Sequence, residues 1–213
     1  MVNNTNLMVG LTGGMGCGKS TAAARFAERG FRRLDADQII REELLPSREV
    51  TEAIRTRLGS AMLAADGRVR RDKVAEKVFK DPAALAWLEE LLHPRLFERW
   101  RDVVAASRGT AFIVEVPLLF EKGLENWFDF TVCVTTDSES QLRRLEQRGI
   151  PRDQARARIS QQLPLARKCE LADHVLLNDG TPEFLREQVD ALADRLLNSQ
   201  PDRPAGRIHV SPT

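Results

Sequence analysis

This 213-residue chain is poor in the residues that staple a fold or ligate a metal, with three cysteines and three histidines. Cys17, Cys133 and Cys169 are odd in number and widely spaced, so neither disulfides nor a zinc site is expected. His93, His174 and His209 do not cluster either. No apolar stretch approaches the roughly 20 residues that a membrane span needs. The start, MVNNTNLMVG, lacks the basic segment and apolar core of a secretory signal, so a cytoplasmic location is expected. The net charge is only +1, which gives no overall pull toward nucleic acid or membrane, and neither is expected as a partner. The remaining composition, 42% hydrophobic and 30% charged, is that of a globular chain long enough to bury a real core.

What the chain does have begins at residues 9–21, VGLTGGMGCGKST. Gly13 to Ser20 match G-x-x-x-x-G-K-[ST], the phosphate-binding loop. Backbone N–H groups must wrap a polyanion closely, so Cβ atoms are unwelcome and glycine stands at Gly13, Gly16 and Gly18. The apolar run Leu7–Leu11 reads as a buried strand, and KSTAAARFAER, closed by Gly30, reads as a helix with its positive end at the phosphates. Lys19 is placed to reach the β- and γ-phosphates, and the Ser20 hydroxyl suits Mg²⁺. Nucleotide binding is the expectation. A glycine-rich turn without a ligand is the alternative.

Four further strands are expected at Phe31–Leu34, Ala111–Val116, Phe130–Thr135 and His174–Leu177, several of them continuous apolar runs. With helical patterns between them, the fold class is α/β: a doubly wound parallel sheet of five strands. A single domain over 1–200 is expected, with its core at 7–36, 109–137 and 170–197. A helical acceptor-binding insertion falls at about 37–108, where 50–66, 71–80, 82–92 and 94–107 each read as a helix. A helical lid falls at about 138–169, and residues 201–213 read as a disordered tail. Acceptor subdomain and lid suit a small-molecule kinase, which must keep water from the transferred phosphoryl group.

Residues 141–168 carry seven arginines and Lys168 against Glu146 and Asp153, a local charge of +6 (8 − 2). Arg144 and Arg148 are four apart on one helix face, a spacing that brings two guanidinium groups onto phosphate oxygens. A solvated basic helix is the alternative, since the chain uses 26 arginines against 6 lysines throughout. In LDADQIIRE, after the second strand, Asp35 and Gln38 fit a capping box, which leaves Asp37 to accept the proton of an attacking hydroxyl. Glu115 ends the strand AFIVE where a Mg²⁺-ordering carboxylate belongs, although a structural glutamate would read the same.

In order, VGLTGGMGCGKST, LDADQIIRE, LHP, EVPLLFEKG, QLRRLEQRG, RISQQ and ADHVLLNDG resemble the dephospho-CoA kinase family over about residues 8–197. The resemblance implies transfer of the ATP γ-phosphoryl group to the ribose 3′-hydroxyl of dephospho-CoA, with Mg²⁺. It implies that Gly13, Gly14, Met15, Gly16, Cys17, Gly18, Lys19, Ser20 and Thr21 hold ATP, with Asn178 near the adenine. Asp37 is then the base, Lys19, Arg144 and Arg148 stabilise the transferred group, and Ser20 and Glu115 serve the metal. Asp35, Asp37, Arg41, His93, Pro117 and Leu118 belong to the acceptor site. Several of these have plain structural alternatives. His93-Pro94 reads equally as a cap and a first-turn proline, Arg41 as the partner of a glutamate, and Asn178 with Gly180 as a turn. Two residues depart from the family's usual pattern: Glu115 stands for an aspartate, and Cys17 for a serine. A thiol near a helix N-terminus is expected to ionise readily. Another small-molecule kinase, such as a nucleoside monophosphate kinase, shares loop and lid. A GTPase switch would want N-K-x-D, which is absent.

Overall fold

The computed structural model describes residues 6–78 and 80–199, so the expected tail at 201–213 lies outside the described residues. Five strands form one sheet: β1 (Leu7–Gly13), β2 (Arg32–Asp35), β3 (Ala111–Glu115), β4 (Phe130–Thr135) and β5 (His174–Leu177), in the order β2-β3-β1-β4-β5. β1 pairs in parallel with β3 and with β4, and β4 in parallel with β5. The parallel α/β architecture read from the sequence is the one found. Val9, Gly10 and Leu11 are consecutive and buried, as are Ile113 and Val114, and Val132 to Val134. Successive strand residues point to opposite faces, so both faces of the sheet are covered, which is why these runs are continuously apolar.

The chain forms two compact units, one of Met1–Leu34 with Ser107–Thr213, the other of Asp35–Ala106. In the first, helix α1 (Lys19–Glu28) packs on β1 and β3 and against α9 (Pro182–Asn198). Phe26, Phe31, Leu185, Val189 and Leu196 close this core. Arg25 of α1 forks onto Asp190 of α9, Nε to Oδ1 at 2.7 Å and Nη2 to Oδ2 at 2.5 Å. Between β4 and β5 lie α6 (Ser138–Gln147), α7 (Arg152–Ser160) and α8 (Leu165–Leu171). Leu142, Leu145 and Ala155 make a small core of α6 and α7, and Met15 of the glycine loop packs into it.

The second unit is helical. α2 (Ala36–Ile39) runs into a π turn, Ile40–Leu44, followed by α3 (Arg48–Leu58), α4 (Arg71–Val78) and α5 (Pro82–Ala105). Two expected boundaries are wrong. The helix read over 50–66 stops at Leu58, because Gly59 takes φ 103°, where an L-residue is strained. The next residues form a 3-10 turn, Ser60–Met62, and an antiparallel bridge of Leu63 with Val69. The helices read over 82–92 and 94–107 are instead one helix with Pro94 inside it, so His93 is no cap. Proline removes a helical hydrogen bond and crowds the preceding turn. Here the Arg95 guanidinium donates to the Leu91 carbonyl at 2.7 Å, supplying a donor beside the disturbed turn.

Candidate functional site

The glycine loop leaves β1 where strand order reverses: β1 feeds toward β2 on one side and β4 toward β5 on the other. Ligands of such sheets bind at the carboxyl ends of strands flanking that point. Every loop carbonyl from Gly13 to Gly18 has a donor. Lys19 Nζ donates to Gly13 O (3.1 Å) and Gly14 O (2.9 Å), and Gln141 Nε2 to Met15 O (2.8 Å). Arg144 Nη1 reaches Gly16 O (3.4 Å), Asn178 Nδ2 donates to Cys17 O (2.8 Å), and Ala22 N to Gly18 O (3.1 Å). The N–H groups are the converse. Cys17 N donates to Gly14 O and the Gly14 amide to the Cys17 sulfur, but those of Met15, Gly16 and Gly18 have no acceptor among the described residues. The first turn of α1 adds more, because its N-cap is Gly18, which has no side chain to cap it. Unpaired amides at a helix N-terminus, with the carbonyls turned away, make an anion-binding nest.

The glycines are needed for room as well as for φ. Gly18 has φ 98°, and a Cβ there would lie 2.2 Å from Asn178 Nδ2. Gly18→Ala is therefore expected to cost about 2 kcal/mol or more in stability. It should also weaken nucleotide binding, because the Asn178 clamp on Cys17 must move; thermal unfolding with and without ATP measures both.

Burial pushes the Lys19 ammonium below its usual pKa, and the neighbouring Lys168 adds to the depression. A polyanion in the nest would supply the counter-charge that burial withholds. Cys17 corrects an expectation. Its thiol is buried, and burial holds its pKa above the usual value despite Lys19 beside it, so it does not ionise readily. Ser20 Oγ donates to Glu115 Oε2 at 3.0 Å, and Glu115 Oε1 lies 2.6 Å from Arg33 Nη2. A hydroxyl and a buried carboxylate side by side form a hard-oxygen pair that fits Mg²⁺ sharing its shell with phosphates and water.

The paired arginines separate. Arg144 Nη2 also donates to Asn178 O at 2.9 Å, so this side chain ties α6 to the end of β5. The Arg148 side chain is exposed, with no hydrogen bond or ion pair among the described residues. Asn178 is buried, and its side-chain amide is spent on the loop rather than left open. Thr136 Oγ1 donates to the Asn178 carbonyl at 2.9 Å. Thr21 is exposed on α1. Pro117 and Leu118 are half-buried, and the Pro117 carbonyl accepts from Thr12 Oγ1 (3.2 Å) and from Lys168 Nζ (2.8 Å).

In the helical unit, Asp35 is the N-cap of α2 and accepts from Gln38 N at 3.1 Å. The box is not reciprocal, because the Gln38 side chain donates to Glu42 instead, at 2.9 Å. Asp37 is exposed and its carboxylate accepts no hydrogen bond from the described residues. Arg41 pairs with Glu42 at 2.7 Å, and that hydrogen bond raises its pKa. Leu45 N closes onto Ile40 O at 2.8 Å, so Arg41 sits on the wide turn. Arg41, Arg68 and Arg71 line a cleft of about 350 Å³ with Leu45, Pro46 and Val69. His93 is half-buried on α5, its ring centroid 6.0 Å from that of Phe97. Gln141 escaped the sequence reading as a loop contact, and so did the pairing of Lys168 with Glu121: a buried glutamine and an ion pair 47 residues apart (168 − 121) leave no local pattern.

A nest of free amides opening a helix, with hydroxyl and carboxylate at its edge on a 2-3-1-4-5 parallel sheet, is the architecture of phosphate-loop phosphotransferases. Comparison with known proteins narrows the class. The family model described as dephospho-CoA kinase matches residues 7–183, and the chain belongs to that family. It is 38% identical over 192 residues to a dephospho-CoA kinase of Thermobifida fusca, covering 89% of this chain and 96% of that one. The crystal structure of TT1252 from Thermus thermophilus superposes with a TM-score of 0.77 at 33% identity, over 90% of this chain and 98% of that one. The dephospho-CoA kinase from Campylobacter jejuni, at 24% identity, shares the fold with a TM-score of 0.66 over 90% of this chain and 97% of that one.

Proposed function

We propose that this protein phosphorylates the ribose 3′-hydroxyl of dephospho-CoA with ATP, giving CoA and ADP in the last step of CoA synthesis. The observation that carries the reading is the loop of unpaired amides beside the Ser20–Glu115 pair, on a chain of this family. No helix among the described residues is long and apolar enough to cross a membrane, and we place the reaction in the cytoplasm.

The amides of residues 13–21 bind the ATP phosphates, and Lys19 leaves its loop carbonyls to meet the β- and γ-phosphates. Ser20 and Glu115 would hold Mg²⁺, whose charge neutralises phosphate oxygens when it is bound. Asp37 accepts the proton of the acceptor hydroxyl. Asp35 stays a cap. Arg144 keeps the loop in shape, while Arg148, with no partner to give up, meets the transferred phosphoryl charge. Met15, Gln141 and Arg144 fasten α6 to the loop, and Ala155 packs α7 onto α6, so α6 and α7 form the lid together and bring Arg156 and Arg158 with them. The cleft of Arg41, Arg68 and Arg71, with its apolar lining, suits an acceptor that carries a diphosphate and an aliphatic arm. His93, Pro117 and Leu118 complete the acceptor surfaces of their respective units. Asn178 contributes to ATP binding by holding the loop.

Purified protein with Mg²⁺-ATP and dephospho-CoA is expected to form CoA and ADP in equal amounts by mass spectrometry. Lys19→Ala should reduce turnover about 100-fold or more. ADP without CoA would move the assignment to another acceptor, and an active Lys19→Ala variant would defeat the loop reading.

A further inference from the structure

Two of the three cysteines, 36 residues apart in sequence, meet in the fold. Cys133 Sγ of β4 and Cys169 Sγ of α8 lie 3.8 Å apart, in contact and without a bond. Cys133 is wholly buried, whereas Cys169 is half-buried. α8 packs directly on β4 and β1. The chain between the two thiols comprises α6, α7 and most of α8, so a cross-link here would close the entire basic segment into one loop.

We propose that Cys133 and Cys169 form a reversible disulfide in response to hydroperoxides, and that the cross-link slows phosphoryl transfer. The half-buried Cys169 thiolate attacks the peroxide oxygen, giving a sulfenic acid and releasing water or an alcohol. The Cys133 sulfur then displaces the sulfenic oxygen as a second water, and the pair has lost two electrons and two protons to the oxidant. The partition of roles follows burial. Cys133 has its pKa raised, chiefly by burial and then by its neighbour Cys169, so it acts as the resolving thiol rather than the first nucleophile.

The effect on turnover follows from what adjoins Cys169. A disulfide needs its sulfurs about 2.05 Å apart, so the 3.8 Å gap must close by about 1.7 Å through side-chain rotation and a shift of α8. Lys168, the next residue, is fully buried, donates to the Pro117 carbonyl at 2.8 Å and pairs with Glu121 at 2.7 Å. Pro117 O also accepts from Thr12, the residue before the glycine loop. Moving α8 therefore disturbs a chain of contacts that ends at the phosphate site. A thiol-reducing compartment keeps the pair open until oxidant appears.

The test treats the full-length protein with hydrogen peroxide and follows it by mass and by non-reducing peptide mapping. We expect a loss of about 2 Da, the two thiol hydrogens, and a peptide pair joined through Cys133 and Cys169. A higher melting temperature should accompany it, with a several-fold fall in turnover that a dithiol reductant restores. Cys169→Ser should keep the untreated turnover and resist peroxide. Sulfinic acid at Cys169 without the cross-link would overturn the proposal. So would a Cys169→Ser variant inhibited like the wild type, which would put the sensitive thiol at Cys17, or a cross-linked protein with unchanged turnover. The turnover readout rests on the kinase reading. The mass and melting readouts do not, so inactivity of the reduced protein would count against the kinase reading alone.

Discussion

Replacing Asp37 by asparagine is expected to lower turnover about 100- to 10,000-fold while leaving ATP affinity nearly unchanged. Asparagine matches aspartate in shape but cannot take a proton from the acceptor hydroxyl. The two aspartates of this turn are distinguished by their hydrogen bonds. Asp35 is committed to the Gln38 amide as a helix cap, whereas Asp37 is exposed and accepts nothing from the described residues. Asp35→Ala should therefore cost about 1 kcal/mol of stability through loss of the cap, which asparagine in its place would keep. The proposed ATP contacts reside in the glycine loop, so calorimetric titration of Asp37→Asn with ATP should match the wild type. Equal loss of turnover and ATP affinity would show that Asp37 shapes the site rather than taking the proton.

A second large effect is expected at Lys168. Its side chain is fully buried, and its ammonium meets Glu121 Oε1 at 2.7 Å and the Pro117 carbonyl at 2.8 Å. Glu121 Oε1 also accepts from Leu163 N at 3.0 Å. Removing one member of such a pair strands the other charge away from water, so Lys168→Met should destabilise the protein by about 3 kcal/mol. Removing both, as Lys168→Met with Glu121→Leu, should recover most of that loss, because stranded charge costs more than the pair itself contributes. Denaturant unfolding of the wild type, both single variants and the double variant completes the cycle. Additive losses would mean that Lys168 and Glu121 contribute independently.

The sheet was legible because its central strands β1, β3 and β4 are short, apolar and covered on both faces. The expected ranges at Phe130–Thr135 and His174–Leu177 coincide with β4 and β5. The glycine loop was legible because phosphate geometry restricts residue types over eight consecutive positions. Helix ends in the second unit were not. Gly59 was hidden by apolar residues on both sides, and Pro94, read as a start, is carried inside α5 by packing against α3 and α4 and by a guanidinium donated from Arg95. Local propensity places proline at a helix N-terminus, and tertiary packing overrode it.

By itself, then, the sequence determined the order of strands and helices, the phosphate loop and the family, since each depends on residues close together in the chain. Tertiary structure alone decided what faces the loop. Gln141, Arg144 and Asn178, whose partners in the loop lie 126, 128 and 161 residues away, turn its carbonyls outward. It also decided that Arg144 bonds the loop while the Arg148 side chain is unpartnered among the described residues, that burial raises the pKa of Cys17, and that Cys133 touches Cys169. Burial and long-range hydrogen bonds set these properties, and neither leaves a periodic trace along the chain.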